Sequence, residues 1–171
     1  MHSLIEAFLD IETTGSSPEN HEITVVGIQI ESGIESKLVQ LVGREISAAS
    51  IIELLEGVDT IYTYNGSRFD LPFIYTRLHL NLTKEFKHCD LMYYCWKNKL
   101  YGGLKSVEQQ LGIPRKLTET NAYEAVRLWW RYINYSDLEA LDKLLEYNKE
   151  DVSNLKILKE KLIKRNSNNQ Q

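Results

Sequence analysis

The stretch "FLDIETTG", residues 8–15, carries two carboxylates on alternate positions of an otherwise hydrophobic β-strand. Side chains at positions i and i+2 of a strand point to the same face of the sheet, so Asp10 and Glu12 emerge side by side. Two like charges this close raise each other's pKa and destabilise the fold unless a positive charge lies between them. A hard divalent cation, which binds oxygen ligands, meets that need. The stretch therefore predicts the beginning of a metal site on a first strand.

The length and composition of the chain predict one soluble globular domain. Of the 171 residues, 43% are hydrophobic and 26% are charged, and no apolar run approaches the roughly 18–20 residues that a membrane span needs. The N-terminal stretch has no basic leader, and Cys89 and Cys95 match neither a CxxC redox pair nor a zinc site. We expect a single domain over residues 1–165, a polar flexible tail over residues 166–171, no membrane contact and a cytoplasmic location.

The net charge of −4 is unevenly distributed along the chain. Residues 1–76 hold three basic and twelve acidic side chains, whereas residues 77–131 hold ten basic and five acidic ones. An acidic part that needs a cation, beside a basic part, suits a metal-dependent enzyme that acts on a polyanion. Surface charge also clusters without any such role, so the charge pattern alone decides nothing.

The hydrophobic pattern predicts strands first and helices later. The runs "LIEAFLDIE", "EITVVGIQI" and "IESKLVQLV" are joined by short turns and predict an antiparallel meander of three strands. A helix over "SAASIIELLEGV", a short strand over "DTIYTYN" and a helix from Asp70 follow. Beyond residue 90 we expect helices over "LKSVEQQLGI" and "NAYEAVRLWWRYI", and a long last helix that opens with a capping box of Ser136 and Glu139. This order predicts an α/β fold, a mixed sheet flanked by helices.

Two further acids and a tyrosine extend the candidate site. Asp70 begins a predicted helix just after a β run, in "NGSRFDLPFI", and Asp151 lies in "YNKEDV", four residues after Tyr147. Residues i and i+4 of a helix share a face, so the Tyr147 hydroxyl and the Asp151 carboxylate can point into one cleft. Each feature alone is weak evidence for a site. An aspartate at a helix start more often serves as a cap, and many surface helices have a tyrosine and an aspartate four residues apart.

Taken together and in this order, "FLDIETTG", "NGSRFDLPFI" and "YNKEDV" resemble the three motifs of the DEDD superfamily of 3′–5′ exonucleases, which have a ribonuclease H-like fold. The resemblance spans residues 4 to about 160. The tyrosine four residues before the last aspartate is similar to the DEDDy class, and "HCDLMYYCWKNKLYGGLKSVEQQLGIPR" resembles the YprB-type ribonuclease H-like family. Many relatives have an apolar residue after the "TTG" turn, where this chain has Ser16 and Ser17.

The resemblance implies a two-metal phosphodiesterase. Asp10, Glu12, Asp70 and Asp151 would hold two Mg²⁺ or Mn²⁺ ions about 4 Å apart, with Asp10 bridging them. One ion would make hydroxide available near neutral pH, and the other would stabilise the leaving 3′ oxygen. Tyr147 would stay neutral and orient the attacking water by a hydrogen bond. The implied substrate is the 3′ end of DNA or RNA. A proofreading role would need a polymerase partner in trans.

Several neighbouring residues have weaker assignments. Thr13 and Thr14 either hydrogen-bond the terminal 3′ hydroxyl or serve only as turn residues, and Asn65 and Phe69 either line the cleft or belong to the turn and the core. Asp90 is expected to be structural. Five basic residues could contact phosphates, but each taken singly is expected to be a solvated charge: Arg68, Lys97, Lys99, Lys105 and Arg115. The three tryptophans are expected in the core or facing a partner: Trp96, Trp129 and Trp130.

Three other functions stay open at this stage. The chain could be a nucleic-acid-binding module that has lost catalysis, although all four acids and Tyr147 are present. It could be a structure-selective endonuclease, whose chemistry at the metals is identical. In a purely structural domain the acids would be surface charges, and the strand position of Asp10 and Glu12 argues against that.

Overall fold

The computed structural model describes residues 4–168 and contains one mixed five-stranded sheet. The sheet has the order β3-β2-β1-β4-β5, with β1 antiparallel to β2, β2 antiparallel to β3, and β4 and β5 parallel to β1 and to each other. The strands are β1 Ile5–Thr13, β2 Ile23–Ser32, β3 Glu35–Val42, β4 Thr60–Thr63 and β5 Lys87–Asp90. The predicted meander and mixed sheet are confirmed.

Seven α-helices accompany the sheet in the described residues. They are α1 Ala48–Leu54, α2 Asp70–Leu78, α3 Leu82–Glu85, α4 Leu91–Lys97, α5 Leu104–Leu111, α6 Ala122–Tyr135 and α7 Leu138–Asn168, and a short 3₁₀ helix spans Gly43–Glu45. No helix among residues 4–168 combines the length and the apolar character needed to cross a membrane.

The strand β1 separates two hydrophobic clusters. Ala7, Leu9 and Ile11 point to one face of the sheet and pack with the buried side chains of α1 and α2. Phe8 points to the other face and packs with α4, α5 and α7. Because side chains alternate along a strand, Asp10 lies on the Phe8 face, below α7. Each face therefore buries a separate core, and the acids share their face with the longest helix.

The structure corrects several sequence expectations. The residues Lys87–Asp90 form the edge strand β5, which was not predicted from the sequence.

The capping residue of α7 also differs from the prediction, because Ser136 does not cap this helix. Ser136 takes a left-handed conformation at the end of α6, with φ 52°, and Asp137 caps α7 by accepting a 3.0 Å hydrogen bond from the Ala140 N–H. Only Ser136 and Asp137 lie between the two helices. Because Ser136 is the C-terminal cap of α6, the N-terminal cap of α7 is Asp137.

The C-terminal boundary also differs from the expectation. Helix α7 continues to Asn168, so residues 166–168 of the expected tail are helical, and residues 169–171 lie outside the described residues. The assignment of residues 1–165 to one domain stays a prediction.

Both cysteines are free thiols, half-buried at Cys89 and buried at Cys95. Burial raises the pKa of Cys89 above its usual value and that of Cys95 to about 12, so neither thiol is activated as a nucleophile at neutral pH. The cytoplasmic location stays a prediction.

Gly27 of β2 allows α7 to approach the sheet closely. It is the register partner of Asp10, and a Cβ atom at this position would lie 2.1 Å from Asn148 Oδ1 and 2.8 Å from Val152 Cγ2. Both neighbours belong to α7, so the missing side chain sets the distance between the helix and the acidic strand.

We expect the Gly27→Ala substitution to lower the free energy of unfolding by about 1–3 kcal/mol, because the added methyl group would overpack the contact between β2 and α7. Gly103→Ala is the matched control, since nothing lies within 4 Å of its added Cβ. Urea unfolding of the two variants beside the wild type measures the difference. Equal stability of the two variants would show that α7 does not depend on the gap at Gly27.

Candidate active site

Three carboxylates from two elements converge at the C-terminal end of β1. Carboxylate oxygens of Asp10, Glu12 and Asp151 lie within 4.8 Å of one another. Glu12 and Asp151 are buried, whereas Asp10 keeps part of its surface exposed. The strand pairing with β2 shifts register between Glu12 and Thr13, so the regular strand ends as the chain leaves this cluster.

The fourth acid, Asp70, joins the site through the backbone. It is the first residue of α2 and is buried, and its Oδ1 accepts a 3.0 Å hydrogen bond from the N–H of Ile11. Ile11 lies between Asp10 and Glu12, so this bond fixes Asp70 beside both acids. Asp70 is not one of the three mutually close carboxylates, but its charge still acts on Asp10 and Glu12.

Helix α7 supplies three residues to the site, of which the sequence analysis identified two. Besides Tyr147 and Asp151 it carries Asn148, whose Nδ2 donates to Asp10 Oδ2 at 3.2 Å and to the Asp10 carbonyl at 3.3 Å. Gln40 of β3 donates to Asn148 Oδ1 at 2.9 Å and so orients the amide. The only sequence clue to Asn148 was an amide three residues before Asp151 on a buried helix face.

Arg115 is the positive charge that contacts a site acid, and the expectation that it is a solvated charge is wrong. Its side chain is only 5% exposed, donates two 2.7 Å hydrogen bonds to Glu108 and forms an ion pair with Asp151. Asn154 of α7 also donates to Glu108, at 3.0 Å. Arg115 therefore forms ion pairs with two buried carboxylates, Asp151 in the site and Glu108 beside it.

Burial and mutual repulsion raise the pKa of all four acids. Burial followed by the charges of neighbouring acids raises the pKa of Asp10 and Glu12 well above the usual range, although Asn148 opposes both shifts. Burial raises the pKa of Asp70 to about 7, although the hydrogen bond from the Ile11 N–H lowers it. Burial raises the pKa of Asp151 to about 6, although the charge of Arg115 lowers it. The raised pKa values show that negative charge is unfavourable here, so a bound cation would stabilise the ionised form of the four carboxyl groups.

Tyr147 is buried above these acids and keeps its proton. Burial and the charges of Asp151, Glu12 and Asp10 raise its pKa above the usual value. The Lys105 ammonium lies 5.0 Å and the Arg115 guanidinium carbon 5.9 Å from the centre of the Tyr147 ring. Both cations lie beside the ring, and the protonated phenol is a hydrogen-bond donor at neutral pH.

A cleft of about 520 Å³ collects the residues singled out in the sequence. All nine candidate catalytic, metal and substrate residues line it: Asp10, Glu12, Thr13, Thr14, Asn65, Phe69, Asp70, Tyr147 and Asp151. Helix α6 adds Ala122, Tyr123 and Val126, which the sequence analysis did not connect with the site. The cleft has apolar walls and an acidic floor formed by the four carboxylates, so it suits rings at its walls, and it suits negative charge only when a cation is bound at the floor.

The two threonines already have hydrogen-bond partners inside the turn. The Thr13 hydroxyl donates to the Gly15 carbonyl at 2.7 Å, and Thr14 Oγ1 accepts from the Glu22 N–H at 2.9 Å. The Thr14 hydroxyl proton is thus the one left to donate to a ligand. Phe69 is partly buried and packs against Phe73, with 5.4 Å between the ring centres, while one side faces the cleft.

Asp90 and Trp129 take the positions that their sequence context favoured, whereas Trp96 and Trp130 do not lie in the core. Asp90 is structural: it accepts backbone hydrogen bonds from Asn65, Ser67 and Met92. Trp129 packs against the cluster formed by α6, α7 and β2, while Trp96 and Trp130 are partly exposed.

One orphaned atom supports a cation at the acidic floor. Glu12 Oε1 is buried and has no hydrogen-bond partner in the described residues, in the same place where three carboxylates lie within 4.8 Å. Leaving a buried carboxylate oxygen unsatisfied is costly, and a bound cation would remove that cost. The donor set consists only of carboxylate oxygens, which suits Mg²⁺ or Mn²⁺.

A model of the RNase_H superfamily matches residues 7–163. This chain belongs to the RNase_H superfamily. The uncharacterized protein YprB of Bacillus subtilis (strain 168) is 31% identical over 163 residues, which cover 86% of this chain and 39% of YprB. This chain thus spans about two fifths of the length of that relative.

Two solved structures share the fold. The family B DNA polymerase of Pyrobaculum calidifontis superposes with a TM-score of 0.72 at 16% identity, over 94% of this chain and 24% of the polymerase. Brucella melitensis NrnC with bound Mg²⁺ superposes with a TM-score of 0.62 at 20% identity, over 98% of this chain and 76% of NrnC. The ribonuclease H-like fold is confirmed.

We expect Arg115→Met to lower the free energy of unfolding by about 3–5 kcal/mol, because it leaves Glu108 and Asp151 buried without their cation. Arg127→Met is the matched control, since Arg127 is 61% exposed and its pair with Glu124 should contribute at most about 1 kcal/mol. Chemical denaturation measures both. If the two substitutions cost the same, Arg115 does not balance the acids.

We expect the metal-free protein to lose stability as the pH rises from about 4 to about 7. A carboxyl group with a raised folded-state pKa contributes stability that is present at low pH and is lost as the pH rises through that pKa, about 6 for Asp151 and about 7 for Asp70. Melting temperatures in EDTA across this range measure the loss, and saturating Mg²⁺ should reduce it. Asp70→Asn, which keeps an acceptor for Ile11, should flatten the profile; an unchanged profile would contradict the assignment.

Proposed function

We propose that this chain is a divalent-metal-dependent 3′–5′ exonuclease that hydrolyses phosphodiester bonds of DNA or RNA. The observation that carries the proposal is the convergence of Asp10, Glu12, Asp70 and Asp151 with Tyr147 in one cleft. The resemblance of the three motifs to the DEDD superfamily supports the 3′–5′ direction and the two-metal mechanism. Solved structures of NrnC contain Mg²⁺ or pGG, a combination of ligands that the cleft of this chain would also suit.

The acids would hold the metal ions. Asp10, Glu12 and Asp151 form the close group for one ion, and Asp70, whose Oδ1 is taken by the Ile11 N–H, would offer its other oxygen to a second. When bound, the ions supply hydroxide near neutral pH and stabilise the leaving 3′ oxygen.

The remaining residues would place the reacting groups. Tyr147, which is neutral and has Lys105 and Arg115 beside its ring, would donate a hydrogen bond that orients the attacking water. The Thr14 hydroxyl would donate to the terminal ribose or deoxyribose. Because Ser16 is polar, the apolar contacts to the last base would come from Phe69 and from Tyr123 of α6.

The test is a time course on 5′-labelled single- and double-stranded DNA and RNA with Mn²⁺ or EDTA. We expect a metal-dependent ladder that shortens from the 3′ end. Asp10→Asn should reduce the rate by more than about a hundredfold, since it removes a metal ligand. Asp142→Asn is the matched control, because Asp142 is an exposed acid on the same helix as Asp151 and lies outside the cleft.

Other results would support the alternatives. Cutting of circular single-stranded DNA would indicate an endonuclease on the same scaffold. Absence of cleavage of every substrate, with Mn²⁺ still raising the melting temperature, would indicate a nucleic-acid-binding module.

A further inference from the structure

We propose that an exposed surface formed by Tyr93 and Trp96 of α4 and by Arg68 of the neighbouring turn, called here the α4 platform, binds the bases of a single nucleic-acid strand as it leaves the cleft. The proposal rests on the proposed function for the position of the strand's 3′ end, which would lie at the acids. Binding at the α4 platform is independent of cleavage.

The α4 platform presents two aromatic rings and a stacked cation to solvent. Tyr93 and Trp96 are 36% and 37% exposed. Their ring centres are 5.3 Å apart with the planes at 87°, and the Arg68 guanidinium carbon lies 5.7 Å from the centre of the Trp96 ring. Aromatic and guanidinium surfaces that remain open stack on any base, since every base has a π-face.

A fixed turn connects the α4 platform to the cleft. Arg68 belongs to the turn between Asn65 and Phe69, and both of those residues line the cleft. Asp90 ties this turn to α4: its carboxylate accepts hydrogen bonds from Asn65 at 2.8 Å and from Ser67 at 3.0 Å, and the same side chain caps α4 through Met92 at 3.1 Å. The platform and the cleft are therefore held in a constant relation by one buried carboxylate.

The charge around the α4 platform favours a polyanion. Residues 91–104 contain no aspartate or glutamate and two lysines, Lys97 and Lys99. Among the residues that the structure describes, Arg68, Lys97 and Lys99 form no ion pair with a carboxylate. Unneutralised cations beside aromatic rings attract phosphates while the rings stack on bases, a combination that fits single strands.

A double helix fits the α4 platform poorly, because its base faces are already covered by neighbouring bases. The acidic floor of the cleft would repel a strand when no metal is present, so the platform is also the place where a strand binds in EDTA.

The experiment measures binding without catalysis. A fluorescently labelled oligothymidylate of about 12 nucleotides, within the site sizes of single-strand-binding surfaces, is titrated with the full chain in EDTA and followed by anisotropy. We expect Trp96→Ala to weaken binding about tenfold and Trp96→Phe to stay near the wild type, because phenylalanine keeps a stacking face. Tyr135→Ala is the control, an exposed aromatic outside the α4 platform, and melting temperatures confirm that the variants fold.

Unchanged affinity of Trp96→Ala for the oligothymidylate would overturn the proposal and would be expected if the α4 platform bound a protein partner instead. Equal affinity for a blunt duplex and for the single strand would also overturn it. Cleavage in Mn²⁺ separates this proposal from the exonuclease. If the wild type cleaves, Trp96→Ala should slow hydrolysis of the long oligonucleotide but not of a dinucleotide, which reaches only the cleft. If the wild type cleaves nothing, the exonuclease fails, and the affinities in EDTA alone decide the α4 platform.

Discussion

Repulsion among four acids at the end of one strand is the constraint around which this molecule is organised. Arg115 supplies a guanidinium to Asp151, but it is shared with Glu108. Asn148 and the Ile11 backbone supply neutral donors to Asp10 and Asp70. One cation and a few hydrogen bonds reduce the repulsion without cancelling it, so the ionised acids leave an excess of negative charge in the site. That excess is the physical basis for cation affinity, and it also limits the stability of the protein without a cation.

The strand β1 meets two demands because its side chains alternate. Its odd-numbered residues, such as Leu9 and Ile11, fill one hydrophobic core with α1 and α2. Among its even-numbered residues, Phe8 packs in the second core, and Asp10 and Glu12 are the acids that follow it on the same face. A slip of one residue in the pairing with β2 would exchange these sets and place carboxylates in the first core. The core that stabilises the fold thus also fixes the direction in which the acids point.

The sequence was sufficient for the features that depend on local pattern. Alternation predicted β1 to β3, and the spacing of Tyr147 and Asp151 predicted that they share one helix face. That they meet Asp10 and Glu12 in one cleft was implied by the resemblance to the DEDD motifs. The features it did not disclose depend on tertiary contacts. Arg115 resembles any loop arginine until Glu108 and Asp151 enclose it, and Asn148 gains its role only because Gly27 lets α7 come close. The edge strand β5 has four residues and no clear alternation, and its pairing with β4 stabilises it.

The position of the last acid along the chain has a consequence for translation. The Asn148 amide bonds to Asp10 across 138 residues of sequence, and Asp151 follows it in α7. At about 5–20 residues per second, a ribosome adds residues 147–151 several seconds after Asp70 has been made. During that interval the nascent chain has three acids but neither Tyr147 nor Asp151, and no α7 to close the cleft. The proposed site is therefore incomplete until the residues of α7 have been made.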